Sequence, residues 1–179
     1  FEKKFSHMYN NYECISCANG TDAIYLALKT LKIGRGHEVL VPAISWISSS
    51  ETITQSGAKV RFVDVNSKCL IDEDKIEKNI NSKTKAIIIV HLYGRPCNMT
   101  KIMKLSKKYK LFVIEDCAQA HFAEWKNKKV GTFGHFGTFS FYPGKNIGAI
   151  GDAGCAITKS KKLAKLFRTY ANHGASKNK

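Results

Sequence analysis

Gly137-Thr138-Phe139-Ser140-Phe141-Tyr142-Pro143-Gly144-Lys145-Asn146 opens as an apolar, aromatic run that reads as a short buried strand and closes in a Pro-Gly turn presenting one lysine. Glycines follow at Gly148, Gly151 and Gly154, where backbone or ligand can approach closely. Lysine is seldom fully buried unless it is paired or used, so Lys145 is a candidate amine nucleophile. Taken alone, a solvated turn lysine is the simpler reading in a lysine-rich chain. The surrounding sequence decides between the two.

Working outward, Leu111–Glu115 reads as an apolar strand that delivers Asp116-Cys117-Ala118-Gln119-Ala120-His121 at its end. Further upstream, a short strand near 13–17 leads into Asn19-Gly20-Thr21-Asp22-Ala23 and then apolar residues at helical spacing as far as Gly34. Asn19 or Thr21 suits the cap of that helix and Gly34 its end. The Gly20-Thr21 junction also offers N–H groups and a hydroxyl to a phosphate. Strands follow at 37–42, 59–65 and 84–90, with helices at about 45–55, 72–79 and 99–108. After the lysine turn come a strand at about 153–158 and a helix at about 160–171. Strands alternating with helices predict an α/β fold with a mainly parallel sheet sandwiched by helices. Trp46 falls just past a strand end, where such sheets place ligands.

At 179 residues and 44% hydrophobic, the chain suits one domain with a substantial core. No apolar run approaches the roughly 18 residues that a membrane-spanning helix needs. The formal charge of +15 comes from scattered lysines, with arginine only at Arg35, Arg61, Arg95 and Arg168. That pattern predicts solvated faces that steer anionic small molecules rather than a nucleic-acid-reading surface. Six cysteines show no disulfide framework and fit a reducing cytoplasm. Cys14 and Cys17 have half a zinc-site spacing, but no second pair completes it, so no metal is expected. Opening on Phe1 and closing on Ser176–Lys179, the sequence reads as cut at both ends.

Asp116 at the ligand edge of a sheet is a candidate metal ligand, general base, or partner of a protonated heterocycle. A lysine on a turn, a carboxylate at a strand end, an aromatic ring and a phosphate-binding helix start together match what pyridoxal 5'-phosphate requires. The segments Asn19–Ala23, Glu115–His121, Ser140–Asn146 and Gly148–Asp152, in that order, resemble the DegT/StrS-type (DegT/DnrJ/EryC/StrS) nucleotide-sugar aminotransferases, which have the aspartate aminotransferase fold (fold type I). The resemblance spans almost the whole chain. It implies that residues 1–179 form a pyridoxal-phosphate-binding large domain, incomplete at both ends, without the family's C-terminal small domain. It also implies that Lys145 attaches the cofactor, Asp116 pairs with its ring nitrogen, and Gln119 approaches its phenolic oxygen. Gly20, Thr21 and Ser140 would hold the phosphate, and Trp46 would stack on the ring.

By the same resemblance the reaction is transamination, with L-glutamate as amino donor and a 3-keto- or 4-keto-6-deoxy sugar on a nucleoside diphosphate as acceptor. The setting would be amino-sugar and polysaccharide biosynthesis by a cytoplasmic homodimer. The alternative is a non-catalytic remnant of the fold or a basic binding module. Two positions depart from the family pattern: Phe122 and Ala153 stand where glycine is usual. Both are expected to add bulk near the site.

Overall fold

Alternating apolar strands and amphipathic helices fold as their periods predict. The computed structural model describes residues 1–175; Ser176–Lys179, read from the sequence as a cut end, lie outside the described residues. In chain order the elements are α1 (Glu2–Met8), β1 (Glu13–Cys17), α2 (Gly20–Thr30), β2 (Glu38–Pro42), α3 (Ser48–Gln55) and β3 (Lys59–Val63). There follow α4 (Glu73–Ile76), β4 (Thr84–Val90), α5 (Met99–Tyr109), β5 (Phe112–Asp116), and the short strands β6 (Glu124–Trp125) and β7 (Lys128–Lys129). The described chain ends with β8 (Phe136–Ser140), β9 (Gly154–Thr158) and α6 (Lys161–Ala171).

One seven-stranded sheet runs in the order β1-β9-β8-β5-β4-β2-β3. The pairs β2/β3, β2/β4, β4/β5 and β5/β8 are parallel, whereas β9 is antiparallel to both β8 and β1. Only β9 is reversed, so the other six strands end at one edge. Every residue of β2, β8 and β9 is buried, as strands covered on both faces require. Side-chain caps set the helix starts. Asn19 Oδ1 accepts from Asp22 N at 2.8 Å, Asn98 Oδ1 from Lys101 N at 3.2 Å, and Ser160 Oγ from Leu163 N at 3.3 Å.

Two boundaries and one hairpin depart most from the sequence reading; β3 and α4 are also shorter than the expected 59–65 and 72–79. α2 stops at Thr30 rather than near Gly34, because Lys32 takes the left-handed conformation (φ 58°) that a helix-ending glycine usually takes. α3 starts at Ser48 rather than Ser45. The β6–β7 hairpin was not foreseen; its turn residues Lys126 and Asn127 both have positive φ (51° and 61°), and lysine gives little warning of such a turn.

A second, smaller core joins Phe5 of α1 and Tyr9, just past its end, to Cys14, Cys117, Phe139, Phe141 and Cys155. The Phe5 ring meets those of Phe139 and Phe141 edge-on at 5.1 and 5.5 Å. The cysteines are free, and burial pushes the Cys17 and Cys97 thiols up to about 12. Cys14 and Cys17, three apart on one strand, point to opposite faces and cannot share a metal. Among the described residues no helix is long and apolar enough to cross a membrane.

An ion pair clamps α1 to α6. Glu2 accepts from Arg168 Nη1 and Nη2 at 3.1 and 2.7 Å, and from Ser16 N and Oγ at 2.7 and 2.8 Å. Partial burial works to raise the Glu2 carboxyl, but the bonds from Arg168 and Ser16 outweigh it and hold the group near about 2, below its ordinary 4.5. A depressed carboxyl contributes stability that is complete above the unfolded value and fades as pH falls toward the folded one. The thermal midpoint of the protein should therefore drop between pH 4.5 and 2 more steeply than that of a Glu2→Gln variant. Parallel midpoint-against-pH curves for the two proteins would refute the clamp.

Candidate active site

The six strand ends sharing one edge bring distant parts of the sequence to a cleft of about 630 Å³. The predicted residues Gly20, Thr21, Trp46, Asp116, Gln119, Ser140 and Lys145 all line it. Gly20 and Thr21 enter from the first turn of α2, Asp116 from the last position of β5, and Ser140 from the last position of β8. Lys145 sits five residues past β8 in a loop folded on itself. Its N–H donates to Tyr142 O at 2.8 Å, and Ala149 N closes on Phe141 O at 2.7 Å.

Close packing at the β1–α2 junction explains two glycines. A Cβ on Gly20 would lie 2.7 Å from Ser140 Cβ, and one on Gly154 would lie 2.2 Å from Asn19 O. The reversed strand β9 can thus pass against the junction, and the amides that open α2 sit beside the Ser140 hydroxyl. Thr21 Oγ1 is 2.7 Å from Ser48 Oγ, which adds two more hydroxyls to the same corner.

Asp116 is 7% exposed and both of its oxygens are engaged. Ala118 N donates to Oδ1 and Ser49 Oγ to Oδ2, each at 3.0 Å. Burial raises its carboxyl above the ordinary range; the Ala118 and Ser49 bonds and the charge of Lys145 oppose this without cancelling it. Gln119 is oriented by Tyr93 N, which donates to Oε1 at 2.7 Å. Among the described residues the donor half of that amide has no hydrogen-bond partner. Trp46 lines the cleft but is 75% exposed, at its mouth.

Behind Asp116, on the other face of β5, Glu115 is fully buried. It accepts from Gly131 N, Phe133 N and Gly134 N at 2.8, 2.8 and 2.6 Å. His91 Nε2 lies 3.2 Å from its Oε2, while His91 Nδ1 accepts from Cys97 N at 3.1 Å. Nδ1 as acceptor places the ring proton on Nε2, facing Glu115. Among the described residues, His91, Glu115 and Cys117 cluster closely enough to suggest a metal site. Those hydrogen bonds already occupy the ligand atoms of His91 and Glu115, and burial keeps the Cys117 thiol protonated.

Sequence reasoning missed the roles of Ser45, Ser48, Ser49 and Tyr93. The serines read as an ordinary polar helix start, and Tyr93 acts through its backbone N–H, which no side-chain pattern reveals.

A mainly parallel sheet between helices, with a lysine loop and a buried aspartate at its carboxyl edge, is the large-domain architecture of fold type I aminotransferases. The chain belongs to the DegT/DnrJ/EryC1/StrS aminotransferase family, whose model matches residues 1–179. It is 47% identical over 162 residues to a UDP-N-acetyl-3-dehydro-alpha-D-glucosamine 3-aminotransferase of Acidithiobacillus ferrooxidans, covering 90% of this chain and 44% of the relative. It is 46% identical over 179 residues to a dTDP-3-amino-3,6-dideoxy-alpha-D-galactopyranose transaminase of Aneurinibacillus thermoaerophilus, covering 99% and 49%. A solved structure of NtdA from Bacillus subtilis with bound cofactor PMP superposes with a TM-score of 0.92 at 37% identity, covering 99% of this chain and 41% of that one. The chain thus spans about half the length of the curated relatives it matches.

The two departures from the family pattern sit differently from what the sequence suggested. Phe122 is left-handed (φ 60°), and its N–H donates to Tyr9 Oη at 2.9 Å. Its ring stacks on Tyr9 at 5.5 Å under the Lys129 ammonium, and it is not among the residues lining the cleft. Ala153 packs on the smaller core. The expected bulk therefore falls on the α1 side. Because a left-handed non-glycine residue costs about 1 kcal/mol or more, Phe122→Gly should destabilise the protein less than Phe122→Ala, by about that amount. Urea unfolding of both variants measures the difference, and equal midpoints would show that strain at this position is negligible.

Proposed function

We propose that residues 1–179 are the cofactor-binding domain of a pyridoxal-phosphate-dependent aminotransferase acting on a keto sugar attached to a nucleoside diphosphate. L-glutamate is the amino donor. The observation that carries this reading is the single cleft that holds Lys145, buried Asp116 and the Gly20–Ser140 cradle together. The names of the two relatives, a 3-aminotransferase and a 3-amino sugar transaminase, favour amination at C3. A biosynthetic enzyme of this kind fits a cytoplasmic location.

The donor set fits the cofactor. The free amides at the start of α2, the hydroxyls of Thr21, Ser48 and Ser140, and the helix dipole suit a phosphate dianion. The cradle at Gly20 leaves no room for a side chain there. When bound, pyridoxal phosphate supplies a carbonyl that carries the amino group and a ring that takes up electrons. Asp116, fixed by Ala118 and Ser49, is the carboxylate that would pair with a protonated ring nitrogen and orient the ring. Gln119, with Oε1 committed to Tyr93 N, has its Nε2 donor to offer and would approach the phenolic oxygen with it. Trp46, at the mouth of the cleft, would cover the ring. Lys145 Nζ would attach the cofactor and, as the amine of the cleft, would be the group that holds or moves a proton at the donor's α-carbon.

Two loops flanking the cleft expose apolar side chains: Ile44, Trp46 and Ile47 on one, Tyr142, Ile147 and Ile150 on the other, the last fully exposed. Such a patch marks an interface, and a second copy of the chain is the occupant we assign to it, giving a homodimer with its clefts near the interface.

Borohydride reduction in the presence of pyridoxal phosphate should fix one cofactor mass to the peptide containing Lys145, and Lys145→Ala should abolish it. An unlabelled wild-type chain would sink the reading. Asp116→Asn should still be labelled but should slow the absorbance change on adding L-glutamate by about 100-fold or more; a near-normal rate would assign the nitrogen partner elsewhere. In sedimentation velocity the chain should run as a dimer and Ile150→Asp as a folded monomer. A monomeric wild type would leave the patch to another occupant.

A further inference from the structure

We propose that Ser45 and Ser49 form a one-way hydroxyl chain that positions Asp116, and that Ser49 is thereby a positioning residue of the site. The inference rests on the aminotransferase reading only for its functional meaning; the hydrogen-bond logic stands on the geometry. A carboxylate can only accept. Ser49 Oγ lies 3.0 Å from Asp116 Oδ2, so the single Ser49 hydroxyl proton is committed to it. Ser45 Oγ lies 2.8 Å from Ser49 Oγ. With the Ser49 proton spent, Ser45 must be the donor in that contact. The direction is fixed: Ser45 to Ser49 to Asp116.

The chain runs from the rim of the cleft inward. Ser45 is partly exposed beside Trp46, whereas Ser49 is 1% exposed in the first turn of α3. The two serines are four residues apart, Ser45 in the connection after β2 and Ser49 in α3, while Asp116 comes from β5; the Ser49–Asp116 bond spans 67 residues of sequence. Each hydroxyl polarises the next, which strengthens the bond at the carboxylate. Ala118 N holds Oδ1 and Ser49 holds Oδ2, so the carboxyl plane cannot rotate. The charged or titratable groups facing Asp116 are Lys145 from the loop after β8 and His91 from the end of β4. Among the described residues neither side chain is within hydrogen-bond contact of its carboxylate oxygens, so direct fixation of the carboxylate falls to Ser49 and Ala118. An ordinary buried serine at a helix start would satisfy its own hydroxyl on a backbone carbonyl, as Thr52 does on Ser48 O. Ser49 instead reaches a carboxylate on another strand.

The deciding measurement is the pH titration of the Asp116 side-chain carboxyl by carbon-13 NMR, without cofactor. Ser49→Ala should move its midpoint to higher pH, Ser49→Thr should restore the wild-type midpoint, and Ser45→Ala should move it in the same direction by less. Alongside, Ser49→Ala should weaken pyridoxal phosphate binding by about tenfold, as expected for one hydrogen bond to a charged group, with Lys145 still labelled on reduction. An unchanged midpoint in Ser49→Ala overturns the proposal even if the cofactor binds, leaving the aminotransferase reading intact. A shifted midpoint in a chain that takes up no cofactor upholds the positioning and overturns the reading. Should Ser49→Ala fail to fold, the Ser45→Ala titration decides alone, and no shift there refutes the chain.

Discussion

Glu115 is the contact on which the geometry of this domain turns. A buried carboxylate is tolerated only when its lone pairs are filled, and three backbone N–H groups and the His91 ring fill them. Those partners come from the end of β4 and from the segment leading into β8, so one side chain ties the two neighbours of β5 to it. Side chains alternate across a strand. Pinning Glu115 into the interior therefore commits the next residue, Asp116, to the opposite face and to the cleft.

The sheet then supplies the rest of the site by direction alone. Parallel strands leave their carboxyl ends together, and ligands of open α/β sheets lie there. The anion-binding start of α2, the serines at and just before the start of α3, the Tyr93 turn and the lysine loop each follow a strand that ends at this edge, and Asp116 is the last residue of another. The reversal of β9 closes the arrangement, because its first residue, Gly154, slides under the Asn19 carbonyl and brings Ser140 against Gly20.

Much of this was legible in the residues. Continuous apolar runs such as Ala86–Val90 admit few readings, and Asn19 announces a helix start by a local mechanism. Asp116 stood out because a charged group at the end of a buried strand demands a reason, and Lys145 because a Pro-Gly turn after such a strand presents it. What stayed hidden depends on distance in the chain. The Ser49 hydroxyl has meaning only through a carboxylate from another strand, and Glu115 looked like one more residue of β5 until the loop at 131–134 closed over it. Phe122 misled because a family comparison gives position but not direction; its ring turns toward Tyr9. The Lys126-Asn127 turn escaped because lysine rarely adopts positive φ.

The lysine loop has a kinetic side. It joins β8 to the one antiparallel neighbour in its half of the sheet, so its housing closes over a short stretch of chain. The bond that orients Asp116 closes over 67 residues. Loop-closure entropy disfavours early formation of distant contacts, so the nucleophile's turn can assemble as a local hairpin while the carboxylate's support waits for the parallel strands to dock. The cleft is thus completed from its lysine side inward, and a chain halted partway through folding would present the amine without the partner that directs it.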